Sequence, residues 1–375
     1  MNREQAISNA AQGVIDIHRN RFDLWRAARG PKAGYLSIDT PEEILLAAGV
    51  VPFRMTGESE SDTIDACARL STNYCSYVLS CLGEGLASVY DFADVVIFTD
   101  SCDMRKRLAE TWTRELKTTA YFVDLPNDAS NISKEYFTER LRKLIEFLER
   151  RYRCTITDDA LRRAIALCST SRKLIRRMYE YKKRDIQMLT GMEYVEVVKA
   201  ATTGLKEIFN ERMIPLLEAL EAAVPTAGPK RPRVMISGSY FDHAGIIEVI
   251  EKAGADLVCE DISNGIKYCE GQIEPDGDPV AAIASYYLER NTSARRLEAS
   301  LRVRHMLDLM REYRAGSLIY YALKFCDTNL HDYPYVLQRF KDEKIPVLFL
   351  ESERNGGNIE GAKTRIQTFI ESRMF

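Results

Sequence analysis

Residues 94–103 read DVVIFTDSCD, and this stretch decides the fold. Five apolar or β-branched residues run without a polar interruption, as in a strand covered on both faces of a parallel sheet. A cysteine and an aspartate follow just past its end. Residues 317–327, SLIYYALKFCD, repeat the arrangement far downstream. Between and around these runs, strand-like and helical segments alternate. AGYLSID (33–39) and VVPFRM (50–55) flank the helical PEEILLAAG, where Pro41 and two acids open a helix and Gly49 stops it. The stretch 61–92 reads as mostly helical, CDMRKRLAETWTREL as a helix and TTAYFVDLP as a strand. After residue 230 the alternation resumes through RVMISGS, HAGIIEVIEKAG, ADLVCED, SLIYYAL and IPVLFLE. Such alternation predicts α/β architecture with parallel sheets and crossover helices.

From about Ile132 to Val224 long amphipathic helices replace the alternation, and PTAGPKRPR (225–233) is the best linker. The expected organisation is an N-terminal α/β unit with a leading helix (1–130), a helical segment (131–228) and a C-terminal α/β unit (229–375). A chain of 375 residues is long for one core, which agrees with two such units.

Composition narrows the function. With 52 basic and 55 acidic residues the net charge is −3, which gives nucleic acid no electrostatic footprint. No apolar run is long enough for a bilayer, and the amphipathic first thirty residues lack a signal peptide's apolar core, so a cytoplasmic protein is expected. In a reducing compartment the nine cysteines are expected unpaired. Most free cysteines are small buried hydrophobes. Cys102 and Cys326, however, sit past strand ends, where open parallel sheets collect ligands. Cys75 follows a polar Ser-Thr-Asn run suited to a helix start. Cys81, six residues on, would not share its face. Zinc fingers and ferredoxins take closely spaced cysteines, which are missing here. Cysteines supplied singly from strand ends suit a cluster in a cleft between domains. Thiolate catalysis would need a histidine, and His243 and His331 are the candidates near these points. SGSYFDHAG (237–245) lacks dinucleotide-fingerprint spacing; it is a tight turn or an anion cradle at a helix start.

PEEILLAAGVVPFRM resembles the opening block of the 2-hydroxyacyl-CoA dehydratase and benzoyl-CoA reductase superfamily. NYCSYVLSCLGEG, DSCDMRKR, KFCDTNLHDYP and GAKTRIQTFIE resemble its later blocks, in the same order, from about Tyr35 to Ser372. The resemblance implies two flavodoxin-like units with N-terminal and central helical additions. It also implies one [4Fe-4S] cluster held by Cys75, Cys102 and Cys326, with the fourth iron position open. Cys81 departs from the family pattern.

The implied setting is a smaller, beta-type subunit paired with a related larger one, and an ATP-dependent iron–sulfur activator that supplies single electrons. The implied reaction is loss of water from a 2-hydroxyacyl-CoA by anaerobic radical chemistry. The β proton of an acyl-CoA is not acidic, so simple elimination of a 2-hydroxyl is unfavourable. One electron on the thioester carbonyl makes a ketyl radical anion that can expel the hydroxyl. The alternatives within the superfamily are an ATP-dependent benzoyl-CoA-type reductase subunit, or an electron-relay or double-cubane reductase. The resemblance assigns no acid or base residue.

Overall fold

The computed structural model describes residues 3–58, 63–223, 230–241, 244–274, 276–290, 294–352 and 359–372. His243, the turn 353–358 and most of the expected linker lie outside these residues. Helices α1 (Arg3–Arg19) and α2 (Arg21–Ala27) lead into β1 (Lys32–Tyr35), α3 (Glu42–Ala47), β2 (Val51–Arg54), α4 (Ile64–Arg69) and α5 (Ser76–Leu86). Then come β3 (Val95–Thr99), α6 (Asp103–Glu115) and β4 (Thr119–Val123). The middle is helical: α7 (Asn131–Tyr152), α8 (Asp158–Glu180), α9 (Gly191–Thr203) and α10 (Lys206–Ala222). The last part runs β5 (Arg233–Gly238), α11 (Ala244–Lys252), β6 (Asp256–Asp261), α12 (Pro279–Glu289) and α13 (Ala299–Glu312). It closes with β7 (Ser317–Leu323), α14 (Asp327–Asp342), β8 (Val347–Ser352) and α15 (Ile359–Glu371).

The strands form two four-stranded sheets, ordered β2-β1-β3-β4 and β6-β5-β7-β8, and every pairing is parallel. Both orders are second-first-third-fourth, the flavodoxin-like arrangement. The chain is therefore an α/β protein with two flavodoxin-like units.

Side-chain alternation explains why the central strands read as continuous apolar runs. Val95 and Ile97 of β3 face a core with α7, α8 and α12, including Leu141, Ile165 and Ile283. Val96 and Phe98 face the opposite way, into a core that also holds Val234, Ile236, Ile319 and Tyr321 of the second sheet. The other face of that second sheet, with Met235, Leu318 and Tyr320, packs on α1, α9, α10 and α13. Every residue of β3 and β7 is buried, as two covered faces require.

Local chemistry sets the helix boundaries. Ser130 caps α7 and Thr157 caps α8 through their side-chain oxygens, and Thr190 with Glu193 forms a capping box on α9. Asp278 caps α12, with Pro279 in its first turn. Two expected elements come out shorter. The strand expected over 33–39 stops at Tyr35, because the Leu36 carbonyl turns to accept from Arg54 Nε (3.1 Å) and lies 3.0 Å from the Tyr77 hydroxyl. The long helical stretch 61–92 breaks between α4 and α5, and this break delivers Cys75.

Candidate functional site

In open parallel sheets a ligand crevice forms beyond the strand ends where strand order reverses. Here those points lie between β1 and β3 in one sheet and between β5 and β7 in the other. All four strand ends lead to one cavity. Ser37, Ile38 and Asp39 follow β1, and Ser101 and Cys102 follow β3; Gly238 and Ser239 come at the end of β5, and Leu323 and Cys326 at the end of β7. Cys75 and Tyr77 complete the wall from the start of α5, and the cavity measures about 690 Å³ including its open mouth. The three thiols expected from the sequence therefore line a single cavity.

The three also share a local position. Cys75 is the N-cap residue of α5, Cys102 of α6 and Cys326 of α14. At an N-cap the first amides of a helix are unpaired and carry the positive end of its dipole. Three helix starts thus converge on three sulfurs, an arrangement that favours negative charge. The Cys75 carbonyl accepts from the amides of Val78 (3.0 Å) and Leu79 (3.2 Å), starting α5. Ahead of Cys326, Phe325 adopts φ +62°, and the Cys326 amide donates back to the Leu323 carbonyl at 2.9 Å. Asn329 Nδ2 donates to Cys326 Sγ at 3.2 Å.

Electrostatics in the cavity are poised around the sulfurs. Burial pushes the Cys75 thiol far up, and its neighbours Cys326 and Cys102 add to this; the Val78 amide and Arg105 oppose it. Burial also raises Cys102, against the Arg105 charge and the amides of Arg105 and Met104. Arg105 itself is held protonated: burial disfavours its charge, but Cys102, Tyr77, Asp39 and Cys75 more than compensate. Its guanidinium donates to Ser101 Oγ and lies 5.8 Å from the Tyr77 ring. Tyr77 stacks on Tyr240 at 4.2 Å, and Arg54 covers Tyr240 from 4.9 Å while binding the Ser263 carbonyl (2.8 Å) and hydroxyl (3.0 Å). This aromatic and cationic wall ties the two sheets together beside the thiols.

The kind and number of donors distinguish ligand types. A structural zinc ion takes four thiolate or imidazole ligands. The cavity wall carries no fourth thiol and no imidazole among the described residues. A soft donor set of three thiols, one short of a closed zinc site, fits an iron–sulfur cluster.

The other sequence candidates lie elsewhere. Cys81 is fully buried in the core that joins the two sheets and does not line the cavity. His331 is exposed on α14, away from the cavity wall. Cys154, never a site candidate, is half-buried, with Sγ 4.0 Å from the Ala48 carbonyl oxygen. Sequence reasoning missed Arg105, Asn329 and the Tyr77–Tyr240 stack. Arg105 and Asn329 each stand three residues past a candidate cysteine, a helical spacing that was a usable signal.

A family profile, 2-hydroxyglutaryl-CoA dehydratase, D-component, matches residues 37–372. The chain is 27% identical over 348 residues to a benzoyl-CoA reductase subunit of Thauera aromatica, covering 90% of this chain and 89% of the relative. It is 25% identical to the (R)-phenyllactyl-CoA dehydratase beta subunit of Clostridium sporogenes, over 99% of this chain and 100% of the relative. It is 23% identical to the (R)-2-hydroxyglutaryl-CoA dehydratase beta subunit of Acidaminococcus fermentans, over 92% and 93%. No helix among the described residues is long and apolar enough to cross a membrane. With a match spanning nearly the whole chain and relatives covered over 89–100% of their length, the chain belongs to the 2-hydroxyglutaryl-CoA dehydratase D-component family, within the superfamily of 2-hydroxyacyl-CoA dehydratase and benzoyl-CoA reductase subunits.

Proposed function

We propose that this chain is the [4Fe-4S]-binding, beta-type subunit of an acyl-CoA dehydratase that removes water from a 2-hydroxyacyl-CoA by one-electron chemistry. Cys75, Cys102 and Cys326 are its proposed ligands. The observation that carries this reading is the meeting of three N-cap thiols at the facing ligand edges of two sheets. Bound there, the cluster supplies a low-potential single-electron centre. The chain's own residues do the rest. The starts of α5, α6 and α14 and the Arg105 cation offset the thiolate charge. Asn329 holds the Cys326 sulfur by its amide, as outer partners orient metal ligands. The Tyr77–Tyr240 stack with Val78 and Leu323 forms an apolar wall that limits water around the sulfurs.

The proposed setting is a complex with a related larger subunit, served by an ATP-dependent iron–sulfur activator, in the cytoplasm. Three relatives named as dehydratase beta subunits support dehydration. The 27% identity to a benzoyl-CoA reductase subunit favours a second reading, the equivalent subunit of an ATP-dependent aryl-CoA reductase. Anaerobic co-purification with its partner, followed by assay on 2-hydroxyacyl-CoA and aryl-CoA substrates, separates the two. Dehydration without ring reduction is expected; the reverse outcome selects the reductase. The purified chain should carry about four irons, three sulfur ligands per cubane coming from the protein. Cys102→Ser should lose most of this iron, while Cys154→Ser should keep it. Equal loss at both positions would contradict the ligand assignment.

A further inference from the structure

A second cavity opens between α8, the turn Ile266–Tyr268, α12 and α13. It measures about 1020 Å³ including its mouth and shares no lining residue with the thiol cavity. Glu270 and His305 line it, from the segment after that turn and from α13. Asp261, the last residue of β6, stands behind them. One carboxylate oxygen of Asp261, one of Glu270 and a ring nitrogen of His305 all lie within 4.8 Å of one another. His305 Nε2 is 2.5 Å from Glu270 Oε1.

Asp261 gives the stronger indication. It is fully buried; its Oδ2 accepts from Ser237 Oγ and faces Lys267 Nζ at 3.5 Å. Its Oδ1 is also buried and has no hydrogen-bond partner. A buried carboxylate oxygen left without a donor is costly, and native structures resolve such atoms with water or an ion. Two separate ion pairs, His305–Glu270 and Lys267–Asp261, would account for the imidazole and Oδ2 but leave Oδ1 unexplained.

We propose that Asp261, Glu270 and His305 bind one divalent cation of the zinc, manganese or ferrous class. An imidazole with two carboxylates is a donor set for borderline first-row metals rather than for thiolate-seeking or purely oxygen-seeking ions. The three ligands come from three separate elements, so the cation ties α13 to the end of β6. The cavity on its open side leaves room for a small oxygen ligand. Lys267 beside Asp261 and Arg176 and Arg290 of the cavity wall add positive charge, set against Glu180, Glu289 and Glu312 on the same wall.

The test is equilibrium dialysis of the whole iron-loaded protein against Co2+ alone and, separately, Zn2+ alone, with bound metal read by elemental analysis. One cation per chain beyond the iron is expected. The difference spectrum against the same iron-loaded protein without cobalt should show the weak visible bands of nitrogen and oxygen ligation, without strong thiolate-to-cobalt charge transfer. Glu270→Gln and His305→Gln should each weaken binding at least about tenfold, the lower end of what losing even an outer metal partner does. Both should keep the metal-free melting profile. Absence of stoichiometric binding to the unaltered protein, thiolate bands in its cobalt spectrum, or unchanged affinity in both folded variants would overturn the proposal.

Discussion

Gly238 and Gly49 both hold positive φ, at +135° and +71°, yet they predict unequal responses to alanine. A Cβ on Gly238 would stand 1.9 Å from the Tyr321 carbonyl oxygen, while one on Gly49 would meet nothing within 4 Å. Gly49→Ala therefore suffers backbone strain alone, about 1 kcal/mol. Gly238→Ala adds a clash between β5 and β7 and should lose at least about 2 kcal/mol in urea unfolding. Equal losses would show that contact at the cavity edge is unimportant. His18 predicts a pH effect. Burial lowers its pKa below 6.5, against Glu58, while Arg21 and Lys199 lower it further. The unfolded chain then binds a proton that the native state refuses, so stability falls as pH drops below about 6.5. Burial would raise Glu58, but Lys199, His18 and Arg21 hold it well below 4.5, so its stabilisation is present above 4.5 and is lost as pH falls further. Between about pH 7 and about pH 5.5, melting temperatures should fall less for His18→Gln than for the unaltered protein. A steeper fall in the variant would refute the assignment.

At the scale of elements, the helix starts hold the three candidate thiols. Asn329, in the first turn of α14, gives Cys326 its side-chain donor at 3.2 Å. Hydrogen bonds to cluster sulfurs raise reduction potentials. Asn329→Ala should therefore lower the potential of the proposed cluster in an EPR-monitored redox titration while the iron count holds. An unchanged potential would mean that this contact does not tune the site. These elements also show what the sequence could disclose. The strands β3 and β7 were legible because two covered faces leave an unbroken apolar run. The placement of Cys102 and Cys326 at the cavity edge was legible because strand ends are where such folds keep ligands. Glu42 and Glu43 were legible only as helix-opening acids, yet both are buried. Glu42 pairs with Lys206 of α10 at 2.7 Å, and Glu43 with Arg172 of α8 at 2.6 Å. Their partners lie well over a hundred residues away, and local pattern says nothing about which distant cation will arrive. Tyr35, a near neighbour in sequence, and Tyr268, from far along the chain, close the same network on Glu42.

For the molecule as a whole, the three cores do not follow the order of the chain. Helix α12 comes after β6 of the second sheet but packs its Val280, Ile283 and Ala284 against the first. The core beside β3 likewise contains β5 and β7 residues, and Arg54 reaches from β2 to Ser263. Interlocked cores should unfold together, so calorimetry is expected to give one transition in which calorimetric and van't Hoff enthalpies agree. Ile283→Ala, a truncation in the core of the first sheet, should cost about 2–5 kcal/mol and shift that whole transition. Two resolved transitions, with only one displaced by the substitution, would show that the units are independent.

The placement of the three thiols also has a consequence for biogenesis. Cys75 and Cys102 leave the ribosome close together, whereas Cys326 follows Cys102 by roughly 220 residues. At about 5–20 residues per second, the first two sulfurs wait on the order of 10–40 seconds for the third. During that interval the nascent chain offers two reactive thiols and an unfinished pocket, open to oxidation or to capture by the wrong metal. Loading of the proposed cluster is thus placed after synthesis of both sheets, as a step of maturation.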